Sequence, residues 1–375
     1  MIRDDMPGVV VVGLGKMGLS HLAITNASRH IRVAGVCDSS SLIGQGAERY
    51  CGFRYISDYN AALALPDVDA VIIATPTRVH DIMVSAALDA GKHVFCEKPM
   101  TLSAAASKDL AERAAAAGLV GQVGYHNRFV GTFGEAKRLI DSGVIGRVRH
   151  VHAEAYGPVV LRPTAATWRS DPKEGGGCLY DYAAHPVNLM NWYIGAPIMC
   201  GGAELPQQYS SGVEDAVYAN LTFPNGVTGQ VSVNWSDETM RKMTTRITIY
   251  ADGGKIIVDR QELMTYVGAN GTPTEGYGEG WTVRNITELT DNVDFYLRGE
   301  EYSAQIDAFG RAITLGNGAL ENDFASAAQT DLTLEMIRAT ALAERSQADY
   351  VPAEVDRSAP APRRRGLLAR VMGRA

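Results

Sequence analysis

Residues 9–12 are four consecutive valines, and the chain runs from them straight into Gly13-Leu14-Gly15-Lys16-Met17-Gly18. An unbroken β-branched run suits a strand buried on both faces of a parallel sheet, since a half-exposed strand would alternate. The glycines fall as G-x-G-x-x-G between that strand and a helix-forming segment, residues 19–28. A second apolar strand, residues 31–36, ends in Cys37-Asp38, which puts an acid twenty residues past the last glycine. The glycine pattern alone is weak. Strand, glycine loop, helix, strand and acid in this order form a dinucleotide-binding fingerprint. The first glycine permits the tight turn, the second lets a pyrophosphate approach the backbone, and the third lets helix pack on strand. The unpaired N–H groups at the helix start then hold the phosphates.

Asp38 selects between cofactors. A carboxylate there accepts hydrogen bonds from the adenosine ribose and repels a 2′-phosphate, so NAD is expected rather than NADP. Ser39 and Ser40 soften that preference, but no adjacent arginine is present to receive the phosphate. The rival phosphate loop, G-x-x-x-x-G-K-[ST], fails because Gly18 is followed by Leu19. Alternation continues beyond, with a helix capped by Ser57, a buried strand at residues 70–74, and a helix started by Thr75-Pro76-Thr77. A strand at 93–96, an alanine-rich helix between Ser103 and Gly118, and a strand at 119–124 follow. Such alternation predicts a doubly wound parallel sheet, with ligands bound at the carboxyl ends of its strands. The loop Glu97-Lys98-Pro99 therefore faces the cofactor, and Lys98 can lie beside the nicotinamide; a solvated surface lysine is the plainer alternative.

At 375 residues the chain has room for two domains, on a prior of about 100 to 200 residues each. A net charge of −7 gives no basic field for nucleic acid. Cys37, Cys51, Cys96, Cys178 and Cys200 contain no C-x-x-C pair, so neither a disulfide framework nor a metal site is indicated. With no apolar run long enough for a signal segment or a membrane span, a cytoplasmic protein is expected.

Near the middle stands Gly175-Gly176-Gly177-Cys178-Leu179-Tyr180-Asp181-Tyr182-Ala183-Ala184-His185. Three glycines let the backbone approach something closely. If a helix begins after them, Asp181 and His185 are an i,i+4 pair on one face, a plausible acid/base couple. An exposed aspartate beside a packed histidine is the bland alternative. Farther on, residues 148–156, 213–223, 226–235, 242–250 and 255–258 read as strands, with Pro224-Asn225-Gly226 and Asp252-Gly253-Gly254 as hairpin turns, hence antiparallel pairing. Tyr156 and Trp168 can wall a sugar site or pack in the core. The polar loop 234–241, with Trp235 and Arg241, can reach a nucleotide diphosphate or lie exposed. Helices at 301–313 and 323–346 are expected at the domain junction. Residues 352–362 read as a proline-rich linker, and the basic stretch from Arg363 as a solvated tail, with contact to an anionic membrane surface as the alternative.

Gly13 to Gly18, Asp38, Ala74-Thr75-Pro76 with His80, Glu97-Lys98-Pro99 and the glycine triplet through Asp181 and His185 resemble the glucose-fructose oxidoreductase / inositol dehydrogenase / rhizopine-catabolism (Gfo/Idh/MocA) family, up to about residue 350. The resemblance implies a Rossmann domain over residues 1–126 and an α/β domain with a large, mostly antiparallel open sheet over 127–350, often used for homodimer or homotetramer contacts; residues 351–375 remain as linker and tail. It implies oxidation of a secondary hydroxyl, or reduction of the matching ketone, on a sugar, polyol or sugar nucleotide. By motif Lys98 matches the catalytic lysine, Asp181 a substrate-orienting carboxylate and His185 the general acid/base. Thr75, with Pro76 after it, and Glu97 match positions beside the nicotinamide ribose, and Trp168-Arg169 a segment close to substrate. Ala183 replaces a frequent glycine, and Pro186 after His185 strains the assumed helix. A nucleotide-linked sugar is the favoured substrate, from the loop at 234 and similarity over 294–309. A free sugar or inositol, a glycoside hydrolase using transient NAD oxidation, and an NAD-binding regulator are the alternatives.

Overall fold

Val9 to Val12 are almost wholly enclosed, and their strand β1 (Gly8–Val12) lies between two parallel neighbours, β2 (Arg32–Cys37) and β4 (Ala70–Ile73). The computed structural model describes residues 6–162, 167–316 and 320–347. With β3 (Tyr55–Ile56), β5 (His93–Cys96) and β6 (Gly121–Val123) these form a six-stranded sheet of order β3-β2-β1-β4-β5-β6, parallel throughout. The order reverses beside β1, where a doubly wound sheet opens its ligand crevice. Helices α1 (Lys16–Ala27), α2 (Ser41–Cys51), α3 (Tyr59–Leu63), α4 (His80–Asp89) and α5 (Ala104–Ala116) connect the strands.

Local differences from the sequence reading have physical causes. α1 begins at Lys16 rather than residue 19, so the last three residues of the glycine motif are its first turn and contribute their N–H groups to the loop. α3 is capped by Asp58, which accepts from Ala61 N at 2.7 Å, and not by Ser57. Pro76 precedes a short 3₁₀ turn, Thr77–Val79, that leads into α4.

The second sheet has eight strands in the order β14-β13-β12-β11-β7-β10-β9-β8. Here β7 is Val148–Tyr156, β8 Met199–Glu204, β9 Ala216–Thr222, β10 Thr228–Asn234, β11 Arg246–Ala251, β12 Gly254–Asp259, β13 Glu262–Val267 and β14 Gly280–Asn285. Both expected hairpins form, β9 with β10 and β11 with β12. The central pair β7 and β10 runs parallel, the exception in an otherwise antiparallel sheet. Strands β8, β13 and β14 escaped the sequence reading; β8 carries two adjacent glycines that mask its period.

Along β7 the buried residues Val151, Ala153 and Ala155 point to the face covered by α6 (Gly131–Asp141) and α7 (Ala184–Ile194). The other face is open and carries Tyr218, Tyr250, Tyr266 and Trp281, all more than a third exposed. After α8 (Ile286–Leu289) the chain returns to the first domain, as expected. Ile306 and Phe309 of α9 (Glu300–Leu315) share a core with Val9, Val11, Ile72 and Phe95. α10 (Phe324–Gln347) ties onto α5, where Asp331 accepts from Ser107 Oγ at 2.7 Å and Glu335 from Ala104 N at 2.9 Å. This return clamps the two sheets about the crevice between them. The expected linker and basic tail lie outside the described residues.

Candidate active site

The glycine loop has the geometry its motif demands. Gly13 takes φ +86°, and a Cβ there would lie 2.8 Å from Ala74 O; a Cβ at Gly18 would lie 1.7 Å from Gly13 O. Both glycines are thus required by the chain itself. A Cβ at Gly15 would meet nothing within 4 Å, so this glycine answers to something outside the chain. Gly15 is the N-cap of α1, with no side-chain cap and no acid in the first turn, and leaves backbone donors for an anion. Asp38 is held at the carboxyl end of β2 by Leu14 N (2.6 Å) and Ser40 N (2.7 Å). Each carboxylate oxygen keeps a lone pair for a ribose hydroxyl. These residues fit a dinucleotide.

The loop after β5 is fixed from both sides. His21, buried in α1, places Nε2 2.7 Å from Glu97 Oε1. Burial raises the Glu97 pKa, but His21 and Lys98 outweigh it and keep the carboxyl below its ordinary range. His80 bridges the Thr75 loop to the Lys98 loop, with its ring nitrogens 2.9 Å from Thr75 O and 3.0 Å from Pro99 O. Thr75 itself turns its hydroxyl towards Met83 Sδ, at 3.5 Å.

Lys98 reaches across the crevice. Its Nζ donates to Asp181 O at 2.7 Å and Asp181 Oδ1 at 3.0 Å, while Arg169 Nε donates to Oδ2 at 2.9 Å. Trp168, half exposed, lies under the Arg169 guanidinium. Burial pushes the Asp181 carboxyl up, but the two cations more than offset this and hold it below the usual carboxylate range.

The glycine triplet builds this cluster. A Cβ at Gly176 would lie 2.4 Å from Arg169 O, and one at Gly177 (φ +105°) would lie 2.3 Å from Glu214 Oε1. What the glycines admit closely is the chain's own Trp168–Ser170 turn and the Glu214 carboxylate. Glu214 then accepts from Leu179 N at 2.8 Å and fixes the start of the next turn.

That turn corrects the expected i,i+4 pair. Leu179–Ala183 is a π-turn that passes into α7 at Ala184, and the wider turn changes the angular relation of Asp181 and His185. Asp181 goes to Lys98 and Arg169. His185 goes inward, with its ring edge-on to Tyr125 (centroids 6.4 Å) and to His126 (5.0 Å). Burial, then Lys98 and Arg260, push the His185 pKa well down, so the imidazole rests neutral.

The sequence reading overlooked His126, Tyr302, Arg260 and Glu214 as parts of this site. His126 was within reach, because it follows β6 in the same row of strand ends that selected Lys98. Its ring stacks on Tyr302, with centroids 4.6 Å apart. Tyr156 lies apart from the Lys98 cluster; its hydroxyl is 2.7 Å from Ser232 Oγ on the open side of the sheet. It lines a cleft of about 460 Å³ with Met240, Lys242, Met243 and Arg260. Trp235 is wholly buried and donates to Asp215 Oδ1 at 2.7 Å, so it is unavailable as a surface platform. Among the described residues no group of three or more His, Cys, Asp or Glu side chains could hold a metal ion.

Residues 8–125 match the model of an oxidoreductase family with an NAD-binding Rossmann fold, and residues 133–257 match the GFO/IDH/MocA C-terminal domain. A 1-carboxy-3-chloro-3,4-dihydroxycyclohexa-1,5-diene dehydrogenase of Comamonas testosteroni is 30% identical over 304 residues, covering 75% of this chain and 73% of that protein. The scyllo-inositol 2-dehydrogenase (NAD(+)) of Bacillus subtilis strain 168 is 32% identical over 235 residues, 60% of this chain and 66% of its own. A levoglucosan dehydrogenase solved with NADH and levoglucosan has the same fold, with a TM-score of 0.80 at 24% identity over 91% of this chain and 98% of its own. The fingerprint with its open Gly15, the clamped Lys98 loop and both matched domains agree: the chain belongs to the Gfo/Idh/MocA family of NAD-binding oxidoreductases.

Proposed function

We propose that this oxidoreductase moves a hydride between NAD and a secondary hydroxyl, or the matching ketone, of a small cyclic polyol or sugar. The observation that carries the reading is the state of Lys98. Its ammonium is nearly buried and spends two of its three N–H donors on Asp181, at the carboxyl end of β5 where the fold places its ligand. The third donor serves the substrate oxygen.

His185, kept neutral, takes the hydroxyl proton. Lys98 stabilises the negative charge that develops on that oxygen in a site with little water, where charge–charge interactions are strong. Asp181, fixed by Arg169, holds Lys98 in place. Gly13 to Gly18 and Asp38 hold the cofactor, and Thr75, Pro76 and Glu97 border its nicotinamide end. NAD, when bound, supplies the acceptor for the two electrons.

The small-substrate reading is supported by the named substrates of the inositol and levoglucosan relatives. A nucleotide-linked sugar is the second reading, favoured by the cleft beside Tyr156, where Lys242, Arg246 and Arg260 offer cations to a diphosphate. Arg246 is already paired with Asp259 at 3.1 Å and Arg260 with Glu301, which leaves Lys242 as the principal handle. Five unpaired cysteines support a reducing, cytoplasmic setting, and no described helix is long and apolar enough to cross a membrane. The aromatic open face of the second sheet supports a homodimer or homotetramer.

The test is absorbance of reduced nicotinamide with NAD and a panel of inositols, levoglucosan, free hexoses and UDP-, GDP- and dTDP-sugars. A rise with free polyols or sugars supports the first reading, and a rise with nucleotide sugars alone replaces it with the second. A flat panel with NAD still bound shifts the reading to a hydrolase with transient redox or to a regulator.

A further inference from the structure

The side chain of His21 on α1 is fully enclosed. Its ring lies edge-on to Phe95, with centroids 5.1 Å apart, as a packing residue would. Packing alone asks for leucine or phenylalanine there, because a buried polar ring costs stability unless it is hydrogen-bonded. Among the described residues Nδ1 has no hydrogen-bond partner, while Nε2 meets Glu97 Oε1 at 2.7 Å. What the imidazole adds to packing is therefore its bond to Glu97. An ionised carboxylate only accepts, so the hydrogen between them belongs to Nε2.

Glu97 passes this restraint on. Its Oε2 accepts from Lys98 N at 3.2 Å, and a Cβ at Gly124 would lie 3.0 Å from the same oxygen. One oxygen is thus tied to α1 and the other to the backbone of Lys98. The N-cap of α1 is Gly15, where backbone donors are left for the pyrophosphate. His21 lies six residues past Gly15, about 9 Å along the helix. A short rigid piece of helix and two hydrogen bonds therefore join the phosphate end of the crevice to the lysine loop. Other groups facing the Glu97 carboxylate are Lys98 on its own loop, His80 on α4, His126 after β6, Tyr302 on α9 and the Cys96 thiol at the end of β5. Burial raises the Glu97 pKa, and of the groups that oppose it His21 counts most, ahead of Lys98.

We propose that His21 is a positioning residue: from the helix that holds the pyrophosphate it fixes the Glu97 carboxylate, and through Glu97 the backbone that carries Lys98. Its kinetic consequence rests on the reading of Lys98 as the group at the substrate oxygen, but its structural test does not. Carbon-13 spectra of protein labelled at the glutamate carboxyl, recorded with NAD, follow the titration of Glu97, and Glu97→Gln assigns the resonance. In wild type Glu97 should titrate below an ordinary glutamate. In His21→Leu, which keeps bulk and removes the donor, the titration should move up, and hydrogen exchange of the Lys98 amide should quicken. His21→Gln, which returns an N–H donor, should recover part of both.

A Glu97 titration or a Lys98 amide unchanged in His21→Leu overturns the proposal, as does a glutamine variant that behaves like the leucine one. If the leucine variant does not fold, His21→Phe takes its place beside His21→Gln. Where a panel substrate is turned over, His21→Leu should lower kcat by about 10- to 100-fold, the scale of a small misplacement near the reacting atoms. The acid limb of kcat/KM should shift upward, because Glu97 then loses its charge at a higher pH, while NAD binds within a few-fold of wild type. An unchanged kcat beside a shifted titration overturns the link to Lys98. A silent panel beside the expected spectra and exchange would sink the dehydrogenase reading and leave the role of His21 standing.

Discussion

Gly15→Ala separates what the fold needs from what the cofactor needs. Gly15 has φ −68° and ψ −172°, a conformation open to any residue, and its added Cβ would meet no atom within 4 Å. Replacing glycine where the backbone already suits alanine gains about 0.4–1 kcal/mol from the unfolded chain. Alanine is a poorer N-cap than glycine, and this gives back a similar amount. The melting temperature should therefore stay within about 3 °C of wild type. NAD binding should not survive so well. A methyl group at the α1 N-terminus pushes the pyrophosphate off one or more N–H donors, and a hydrogen bond to a charged group is worth about 1.5–3 kcal/mol. The dissociation constant should rise roughly 10- to 100-fold. Gly18→Ala is the comparator: its Cβ would lie 1.7 Å from Gly13 O, so β1 and α1 must part and stability itself falls. Calorimetric titration with NAD and a thermal melt read both quantities. An alanine variant at Gly15 that binds NAD as tightly as wild type would refute the path of the pyrophosphate. One as unstable as Gly18→Ala would show that Gly15 serves internal packing instead.

Other substitutions test the chemistry, the titration and the assembly. Lys98→Met and His185→Ala should each lower kcat by about 10²- to 10⁴-fold while calorimetry finds NAD affinity within a few-fold of wild type; unchanged turnover in both would remove the assignments. Asp331, wholly buried between α5 and α10, has its carboxyl pushed up to about 7 by burial, partly offset by hydrogen bonds from Ser107 and Thr101. The folded state therefore holds a proton that the unfolded chain loses near pH 4, so this group's contribution to stability is fullest below pH 4 and declines until pH 7. Melts from pH 5 to 8 should show Asp331→Asn gaining on wild type as pH rises to 7 and then running parallel; parallel curves throughout would contradict the raised value. Trp281→Arg, on the open face opposite Tyr266, should lower the assembled mass measured by light scattering without moving the melt of the isolated subunit; an unaltered mass would take the oligomer contact off this face.

The parts of the site that were legible in the sequence are those whose cause is local. Four valines are buried by their own run, Gly13 is required by its own φ of +86° and Gly18 by Gly13 O in the same turn, and Asp38 is placed by the end of the strand that carries it. Strand β7 was readable residue for residue, because its buried positions alternate from Val151 to Tyr156 and Val148 adds an apolar start. What escaped has causes distant in the chain. Gly177 is a glycine on account of Glu214, and the turn at 179–183 widens where Glu214 caps it and Lys98 draws on the Asp181 carbonyl. A spacing of four suggested an Asp–His couple, yet spacing fixes only which groups can meet on a regular helix. Electrostatics then decided between partners: a nearly buried carboxylate gains more from two cations than from a neutral imidazole. Once Asp181 is committed to Lys98 and Arg169, His185 keeps only ring neighbours, lying edge-on to Tyr125 and His126. Both follow β6, the strand end next to the one bearing Lys98, so the argument that found the lysine in the β5 loop reaches them one strand farther along.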